Sequence, residues 1–326
     1  MVTDSETLAI VRQTSHDVFA DAPTTRTMAD LGWFGLFTPE EIGGSGWRPV
    51  EACAIAEEAG AAYSPSSWAE SAIAAGALSA LPARHVEVDA VLSGETTASF
   101  CTGRIEADSS SGSRVSGVFP FSAGLPARVV VVTDEDGDTG AVVDGEDGIS
   151  IEEQSGCLDT TRSLHCLRLS EAETAPLGGS PLAWLTTTAQ ILSCADTVGA
   201  LSTAIKVVTN HLIERQAFGT SLASFQAIQH RLVDLEILHV SAQALLYRAA
   251  EAIELKTDPS LADATHIFLS ARAIPALEDC VQLAGGMGFT WEFGIHHALR
   301  RALTNSAAVR TRRLSGARLA NSRGWR

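Results

Sequence analysis

The stretch that decides the fold is residues 214–230, ERQAFGTSLASFQAIQH. A long segment with apolar residues at helical spacing precedes this stretch, and a second such segment follows it. Between them, Phe218-Gly219 and Ser221 supply the break that lets the chain reverse direction. The stretch therefore predicts a hairpin of two long helices whose tip carries polar and aromatic side chains.

The tip of this hairpin gathers a cation, an aromatic ring and amide side chains. Arg215 suits a phosphate, Phe218 offers an apolar face and Gln226 offers a polar edge. An anionic, planar ligand that forms hydrogen bonds needs these three kinds of group. On the chemistry of the residues alone, an ordinary turn with an arginine that faces solvent is an equally good interpretation.

Three motifs resemble those of the acyl-CoA dehydrogenase family. The R-x-x-F-G and F-Q-x-x-Q-H pattern of residues 215–230 resembles the family's helix-turn-helix, whose Arg, Phe and Gln reach an FAD held mainly by a neighbouring subunit. Residues 31–46, LGWFGLFTPEEIGGSG, resemble the family's N-terminal signature. Residues 282–290, QLAGGMGFT, resemble its C-terminal Q-x-x-G-G-x-G-F/Y pattern. The three matches occur in the family's order, and the resemblance covers nearly the whole chain.

The resemblance implies that FAD is the cofactor and that a defined set of residues contacts it. At Gly285 and Gly286 a side chain would obstruct the approach of the cofactor. We expect no metal ligands. The residues that match the family's cofactor-contacting positions are Arg215, Phe218, Gln226, Gln282, Gly285 and Gly286.

Length and composition bound the class of protein. A chain of 326 residues exceeds one ordinary core, so two or three sub-domains are expected. Hydrophobic residues make up 45% and charged residues 19%, which suits a well-buried globular protein with an obligate interface. The formal net charge of −16 repels polyanions and argues against nucleic acid as a partner.

The C-terminus departs from this acidic balance. Arginines recur from Arg300 onward with no acidic residue among them, and the pattern predicts a basic helical surface that docks on an acidic partner or tail.

The six cysteines show no metal-like spacing, so we expect reduced and mostly buried thiols. The start of the chain lacks the basic region of a secretory signal, and residues 72–83 are too short an apolar run to span a bilayer. We therefore expect a cytoplasmic protein.

The fold class predicted along the chain is α+β, with the architecture of the acyl-CoA dehydrogenases. An N-terminal helical domain is expected over 1–90, a small middle antiparallel β domain over 91–175 and a C-terminal four-helix bundle over 176–326. Strands are expected near 97–101, 114–119, 128–133, 140–143 and 166–169. The Gly43-Gly44-Ser45-Gly46 run lacks the strand and helix that flank a phosphate cradle, so a connecting loop is the better interpretation.

Two parts of the family's catalytic pattern are missing. After residue 102 the family normally continues T-E-P-x-x-G-S-D, whereas this chain has GRIEAD at 103–108. Phe121 and Ala123 align where the family usually has an aromatic residue and a Thr or Ser. The loop that donates hydrogen bonds to the flavin ring is therefore expected to be lost.

The family's catalytic carboxylate is also missing. Its two known places fall near Ala189-Gln190 and near Val309-Arg310, and neither place holds a Glu. Glu292 lies too close to Gly286 to match, and Asp196 is expected to make a polar contact between helices. We therefore assign no catalytic residue to this chain.

Together these features resemble the smaller, base-lacking subunit of the α2β2 acyl-CoA dehydrogenases of actinobacteria, many of which act on steroid-CoA. The resemblance implies a shared FAD, a larger partner subunit that supplies the base, an acyl-CoA substrate and an acceptor such as an electron-transfer flavoprotein. Two alternatives remain open, a structural subunit without flavin and a flavin monooxygenase component of the same fold. Both Arg215 and Gln282 argue against a pure scaffold, which would need neither.

Overall fold

The computed structural model describes residues 5–107, 114–122, 127–143, 145 and 147–325, except for the side chains of Ala107, Phe121 and Ser122. The chain is helical up to residue 92, forms two small sheets between 98 and 178, and is helical again from 180 onward. The N-terminal helices are α1 (Ser5–Ala20), α2 (Thr25–Asp30), α3 (Pro49–Ala61), α4 (Trp68–Leu78) and α5 (His85–Leu92).

The middle region contains two four-stranded sheets. The first has the order β1-β4-β5-β8 and the second has the order β2-β3-β7-β6. The strands are β1 (Ala98–Thr102), β2 (Arg104–Ala107), β3 (Arg114–Ser122), β4 (Val129–Thr133), β5 (Thr139–Val143), β6 (Ile149–Glu153), β7 (His165–Glu173) and β8 (Ala175–Gly178).

The predicted antiparallel sheet is confirmed for five of the six strand pairs and is wrong for one. Strands β1 and β4 run parallel, with Ala98 opposite Val129. Their connection passes through the other sheet by way of β2 and β3, and such a crossover permits parallel pairing, which a tight hairpin does not. Alternation of side chains along a strand is the same in both pairings, so the sequence pattern does not distinguish them.

The C-terminal region is a bundle of long helices, two of which are joined by the hairpin at residues 214–230. Its elements are α6 (Ser180–Glu214), β9 (Gln216–Ala217), β10 (Thr220–Ser221), α7 (Gln226–Glu254), α8 (Ser260–Ala284), α9 (Ile295–Asn305) and α10 (Arg312–Ser322). By length and composition α6 could cross a membrane, but 72% of its most apolar 18-residue segment is buried inside this fold. We therefore describe α6 as the core helix of the bundle.

Helices α3 and α6 pack closely because each carries a glycine at the contact. A Cβ atom on Gly60 would lie 2.0 Å from the carbonyl oxygen of Asp196, and one on Gly199 would lie 1.8 Å from that of Glu57. These two positions therefore allow no side chain. The contact joins the N-terminal helices to the bundle, so that one apolar core runs through both regions.

The loop at residues 43–46 is explained by packing. Gly43 and Gly46 have φ angles of +84° and +83°, and a Cβ on Gly44 would lie 2.0 Å from the carbonyl oxygen of Thr38. The run is thus a tight connection, as the sequence predicted.

The cysteines also match expectation, because all six are free thiols and only Cys157 is partly exposed.

The predicted basic surface at the C-terminus is wrong for two of its arginines. Arg301 and Arg310 are each 1% exposed, so they belong to the interior of the bundle. Arg318 and Arg323 also pair within the chain, with Asp263 and Asp258 respectively. These partners precede the arginines by more than 50 residues, which is why the local sequence suggested a surface without acids.

Candidate functional site

The tip of the α6–α7 hairpin is a tight two-residue turn. Phe218 and Gly219, between the short strands β9 and β10, have φ angles of +54° and +81°. Two consecutive positive φ values are those of a type I′ turn, which matches the twist of a two-stranded ribbon. Ser221 Oγ contacts the carbonyl oxygens of Leu212 and Ile213 at 3.0 and 2.9 Å. It thereby caps the last turn of α6, where carbonyl groups lack partners in the helix.

The turn holds its functional side chains away from the protein. Phe218 is 97% exposed, and its ring meets that of Phe225 edge-on at 6.4 Å between centroids. Arg215 ends α6 and Gln226 begins α7, and both are exposed. Within the described part of the chain, neither side chain has a hydrogen-bond or ion-pair partner. The described residues therefore leave this cation and this amide unpaired beside an exposed ring.

The end of α8 presents the second group of predicted residues. Gln282, Gly285 and Gly286 are exposed, and Gly285 has a φ angle of +63°. A Cβ on Gly285 or Gly286 would meet no atom within 4 Å, whereas one on Gly288 would lie 2.5 Å from the carbonyl oxygen of Val281. Packing inside the chain therefore requires Gly288 and gives no reason for Gly286.

The two groups belong to the same end of the bundle. Leu212 and Leu222, on either side of the hairpin tip, share an apolar cluster with Leu283 and Ala284 at the end of α8. The rings of His211 and Phe293 also meet edge-on at 5.1 Å. The hairpin tip and the end of α8 thus lie at the same end of the bundle, and their joint contact with one cofactor stays a prediction.

This face fits part of an FAD molecule. The unpaired guanidinium of Arg215 suits a phosphate, because Arg offers parallel donors to phosphate oxygens. Phe218 offers an apolar ring, and the open approach to Gly285 and Gly286 leaves room for a ligand against the backbone. Bound FAD would supply the hydride acceptor for an oxidation at carbon.

The two places where the family carries its catalytic carboxylate are in contact in this chain. Arg310 donates a hydrogen bond through Nη1 to the side-chain oxygen of Gln190 and another through Nε to the carbonyl oxygen of Glu135. Both side chains are 1% exposed. Thr102 Oγ1, at the end of β1, also contacts the carbonyl oxygen of Val309 at 3.1 Å. The side chains of Gln190 and Arg310 therefore bond to each other here, and neither is a carboxylate that could act as the base.

The segment expected to hold the flavin ring also differs from the family pattern. Residues 104–107 form β2, which pairs antiparallel with β3. A Cβ on Gly103 would lie 2.3 Å from the carbonyl oxygen of Val118, so this glycine serves the strand pairing. Asp108, Ala123 and the side chain of Phe121 lie outside the described residues.

Asp196 makes the predicted contact between helices, with Arg301 as its partner. The guanidinium of Arg301 donates to both carboxylate oxygens at 2.8 and 2.7 Å, and Asn305 donates to one of them at 2.6 Å. Burial has the largest single effect and raises the pKa of Asp196, but Arg301, Arg162 and Asn305 together lower it overall. For Arg301, burial lowers the pKa and the pairing with Asp196 raises it overall.

A cavity beside this ion pair contains a carboxyl group that the sequence analysis missed. Its empty volume is about 880 Å³ including its mouth, and its wall includes Ala189 and Val309 from the two catalytic places. Glu70 on α4 and Arg162 also line it. Glu70 occupies the first turn of its helix, where an acidic residue is expected on helix-dipole grounds alone, so no other sequence feature marks it as a site residue.

Comparisons with known proteins agree with the architecture. The chain matches the acyl-CoA dehydrogenase N-terminal domain over residues 3–82 and the acyl-CoA dehydrogenase C-terminal domain over residues 185–308, together more than half of its length. Acyl-CoA dehydrogenase IpdE2 of Mycobacterium tuberculosis is 27% identical over 83% of this chain and 77% of its own length. Acyl-CoA dehydrogenase FadE34 of the same organism is 29% identical over 87% of this chain, which spans only 40% of FadE34.

Two solved structures have the same fold along nearly the whole chain. The Tcur3481-Tcur3483 steroid ACAD G363A variant superposes with a TM-score of 0.86 at 23% identity, covering 98% of each chain. The ChsE4-ChsE5 complex from Mycobacterium tuberculosis superposes with a TM-score of 0.86 at 20% identity, covering 99% of this chain and 98% of the other. At these identities the likeness establishes the fold. Because both helical regions match and the fold is shared throughout, this protein belongs to the acyl-CoA dehydrogenase family, flavoprotein oxidoreductases that act on acyl-CoA.

Proposed function

We propose that this chain is the smaller subunit of a heterotetrameric acyl-CoA dehydrogenase and completes an FAD site held mainly by a larger partner subunit. The observation that carries the proposal is the exposed face formed by Arg215, Phe218, Gln226 and residues 282–286. Its cation and amides have no partner in the described chain, and its Gly286 has no role in packing. A face of this kind serves a ligand that belongs to another subunit.

The proposed reaction is the introduction of an α,β double bond into an acyl-CoA. A carboxylate removes the α proton while the β hydrogen leaves as hydride to the flavin. In this chain Gln190 and Arg310 occupy the two carboxylate places, so the partner subunit would provide the base. This chain would bind and orient the cofactor through Arg215 and Gln226 and would exclude water from it with Phe218.

The relatives support the substrate class and the assembly. IpdE2 and FadE34 are named acyl-CoA dehydrogenases, and the two structures of the same fold are a steroid ACAD and a two-protein complex. We extend these properties to this chain as proposals: a steroid-CoA or similar acyl-CoA substrate, an α2β2 assembly, an electron-transfer flavoprotein as acceptor, and a cytoplasmic location.

Co-expression tests the proposal. The chain is purified alone and together with candidate large acyl-CoA dehydrogenase subunits, and the mass and bound flavin of each preparation are measured. We expect little or no FAD on the chain alone, and a heterotetramer that retains FAD when the right partner is present. Stoichiometric FAD on the isolated chain would contradict the shared site. A heterotetramer whose flavin affinity is independent of this chain would favour a structural subunit.

A further inference from the structure

The cavity between α4, α6 and α9 combines an apolar wall with a small number of free polar groups. Its apolar lining includes Trp68, Ile73, Phe100 and Leu192. Pockets that bind small molecules commonly have this composition, with few polar groups that fix the orientation of the ligand.

Most polar side chains in the cavity wall are already paired within the protein. Thr102 and Ser193 bond to backbone carbonyl oxygens, at Val309 and Gln190 respectively. All three guanidinium nitrogens of Arg301 are also hydrogen-bonded, to Asp196, Thr161 Oγ1 and the carbonyl oxygen of Ser64. These groups hold the wall in place, and among them only the second N–H of Arg301 Nη1 has no acceptor in the described residues.

Two other groups in the wall remain available. Arg162 donates through Nε to Asp159 and through Nη2 to Asn305, while its Nη1 has no partner among the described residues. The Glu70 carboxyl receives no hydrogen bond from any other described residue. Glu70 is partly exposed, and it lines this cavity.

The surroundings of Glu70 raise the pKa of its carboxyl group. Burial is the largest influence and raises the pKa of Glu70. A hydrogen bond from its own backbone N–H and the charge of Arg162 act in the opposite direction without cancelling burial. The other charges at the cavity occur in pairs, Arg162 with Asp159 and Arg301 with Asp196. A protonated Glu70 would therefore give this wall a further donor and add no charge to it.

We propose that this cavity binds a neutral, mostly apolar small molecule that carries a carbonyl group, with the Glu70 carboxyl as the donor to the carbonyl oxygen and Arg162 Nη1 as a second donor in the same wall. A neutral ligand fits because a charged one would lack a counter-ion. The site lies within this chain and requires neither FAD nor the partner subunit. Its failure in a binding test and the failure of the shared flavin site are therefore separate results.

Equilibrium dialysis of the full chain with three probes of one ring system tests the proposal. The probes are 2-acetylnaphthalene, 2-ethylnaphthalene, which lacks the carbonyl, and 2-(2-naphthyl)ethylamine, which is cationic. We expect the ketone to bind at one site per chain, roughly tenfold tighter than the hydrocarbon, as one added hydrogen bond allows. Equal affinity for the ketone and the hydrocarbon, tighter binding of the amine, or no saturable binding of the ketone would overturn the proposal.

Two variants locate the effect at Glu70. Glu70→Leu should remove the preference for the ketone, whereas Glu70→Gln should keep part of it because its amide still donates. Glu95→Leu makes the same chemical change at an exposed position in the turn before β1 and should leave the preference intact. A ketone preference that survives in Glu70→Leu would contradict the assignment. Should that variant fail to fold, Glu70→Gln and the comparison of probes on the wild-type chain still decide.

Discussion

Arg310 donates a hydrogen bond to the side-chain oxygen of Gln190, and the two residues stand near the two places where the resemblance to the family predicts a catalytic carboxylate. Burial lowers the pKa of Arg310 to about 10, and the nearby charge of Arg318 acts in the same direction. Gln190 in turn donates to Ser315 Oγ at 2.9 Å. A buried polar network thus replaces the base and joins α6 to α10.

Replacing Gln190 with Leu should destabilise the protein. The change removes the acceptor of Arg310 and the donor to Ser315, and buried polar groups left without partners cost about 2–3 kcal/mol together. Unfolding in urea measures the difference. Gln229→Leu on the exposed side of α7 is the control and should change the free energy of unfolding by less than ~0.5 kcal/mol. Equal effects of the two substitutions would show that the network contributes nothing.

The ion pair of Asp196 with Arg301 should be far more sensitive than an ion pair on the surface. Asp196→Ala leaves a guanidinium that is 1% exposed without its counter-ion, and breaking a buried pair in this way costs about 3–5 kcal/mol. Asp30→Ala removes the partner of Arg26, where both side chains are more than 60% exposed, and should cost less than ~1 kcal/mol. Denaturant unfolding of both variants checks the contrast, and a loss below that of Asp30→Ala would refute it.

His266 should make the protein less stable at mildly acidic pH. Its Nε2 contacts the carbonyl oxygen of Ser306 at 3.0 Å and must carry the proton, so Nδ1 accepts from Ser315 Oγ at 2.9 Å. Burial lowers the pKa of His266 in the folded protein. Because the unfolded chain binds this proton more readily, stability should fall as the pH drops below the unfolded value of about 6.5.

A pH series of urea unfolding tests the role of His266. Between pH 7.5 and 5.5 the wild type should lose more stability than His266→Gln, which has no proton to bind. The pKa values of His296 and His297 are also lowered by burial, but both residues remain in the variant. The difference between the two proteins therefore isolates His266. Parallel pH profiles would mean that the ring does not titrate differently on folding.

Phe218 should matter for the cofactor and little for the stability of the chain. Its side chain is 97% exposed and its φ angle of +54° is one that Asn tolerates well. Phe218→Asn should therefore keep the free energy of unfolding within ~0.5 kcal/mol of wild type. In the complex with the partner, the same change should release flavin more readily, as measured by flavin fluorescence after dilution. Unchanged flavin release would place the ring away from the cofactor.

Local sequence was sufficient for most of the fold. The hairpin at 214–230 follows from the apolar spacing of the two long segments and from the break between them. Strands β2, β6 and β8 were not predicted, because they are short and their place is decided by neighbouring strands. The antiparallel prediction was wrong for β1 and β4, which pair in parallel, for the same reason.

The candidate site was predicted in part, and what the sequence missed depends on distant contacts. The exposed residues around Arg215 were identified through their motif. Arg301 and Arg310 were placed on a surface, because their partners Asp196 and Gln190 lie more than 100 residues away. Glu70 gave no signal, since only the folded chain shows that it faces a cavity.

The measurement that tests the shared cofactor site most directly is the flavin affinity of the co-expressed complex carrying Arg215→Ala. A charge-assisted contact of this type contributes about 1.5–3 kcal/mol, or roughly ten- to a hundredfold in affinity. Arg26→Ala, at an exposed arginine on α2, is the matched control. We predict that Arg215→Ala weakens FAD binding by that factor and lowers activity with it, while the mass of the complex and the flavin affinity of Arg26→Ala stay unchanged. An FAD affinity equal to wild type in an intact Arg215→Ala complex would show that the hairpin does not reach the cofactor.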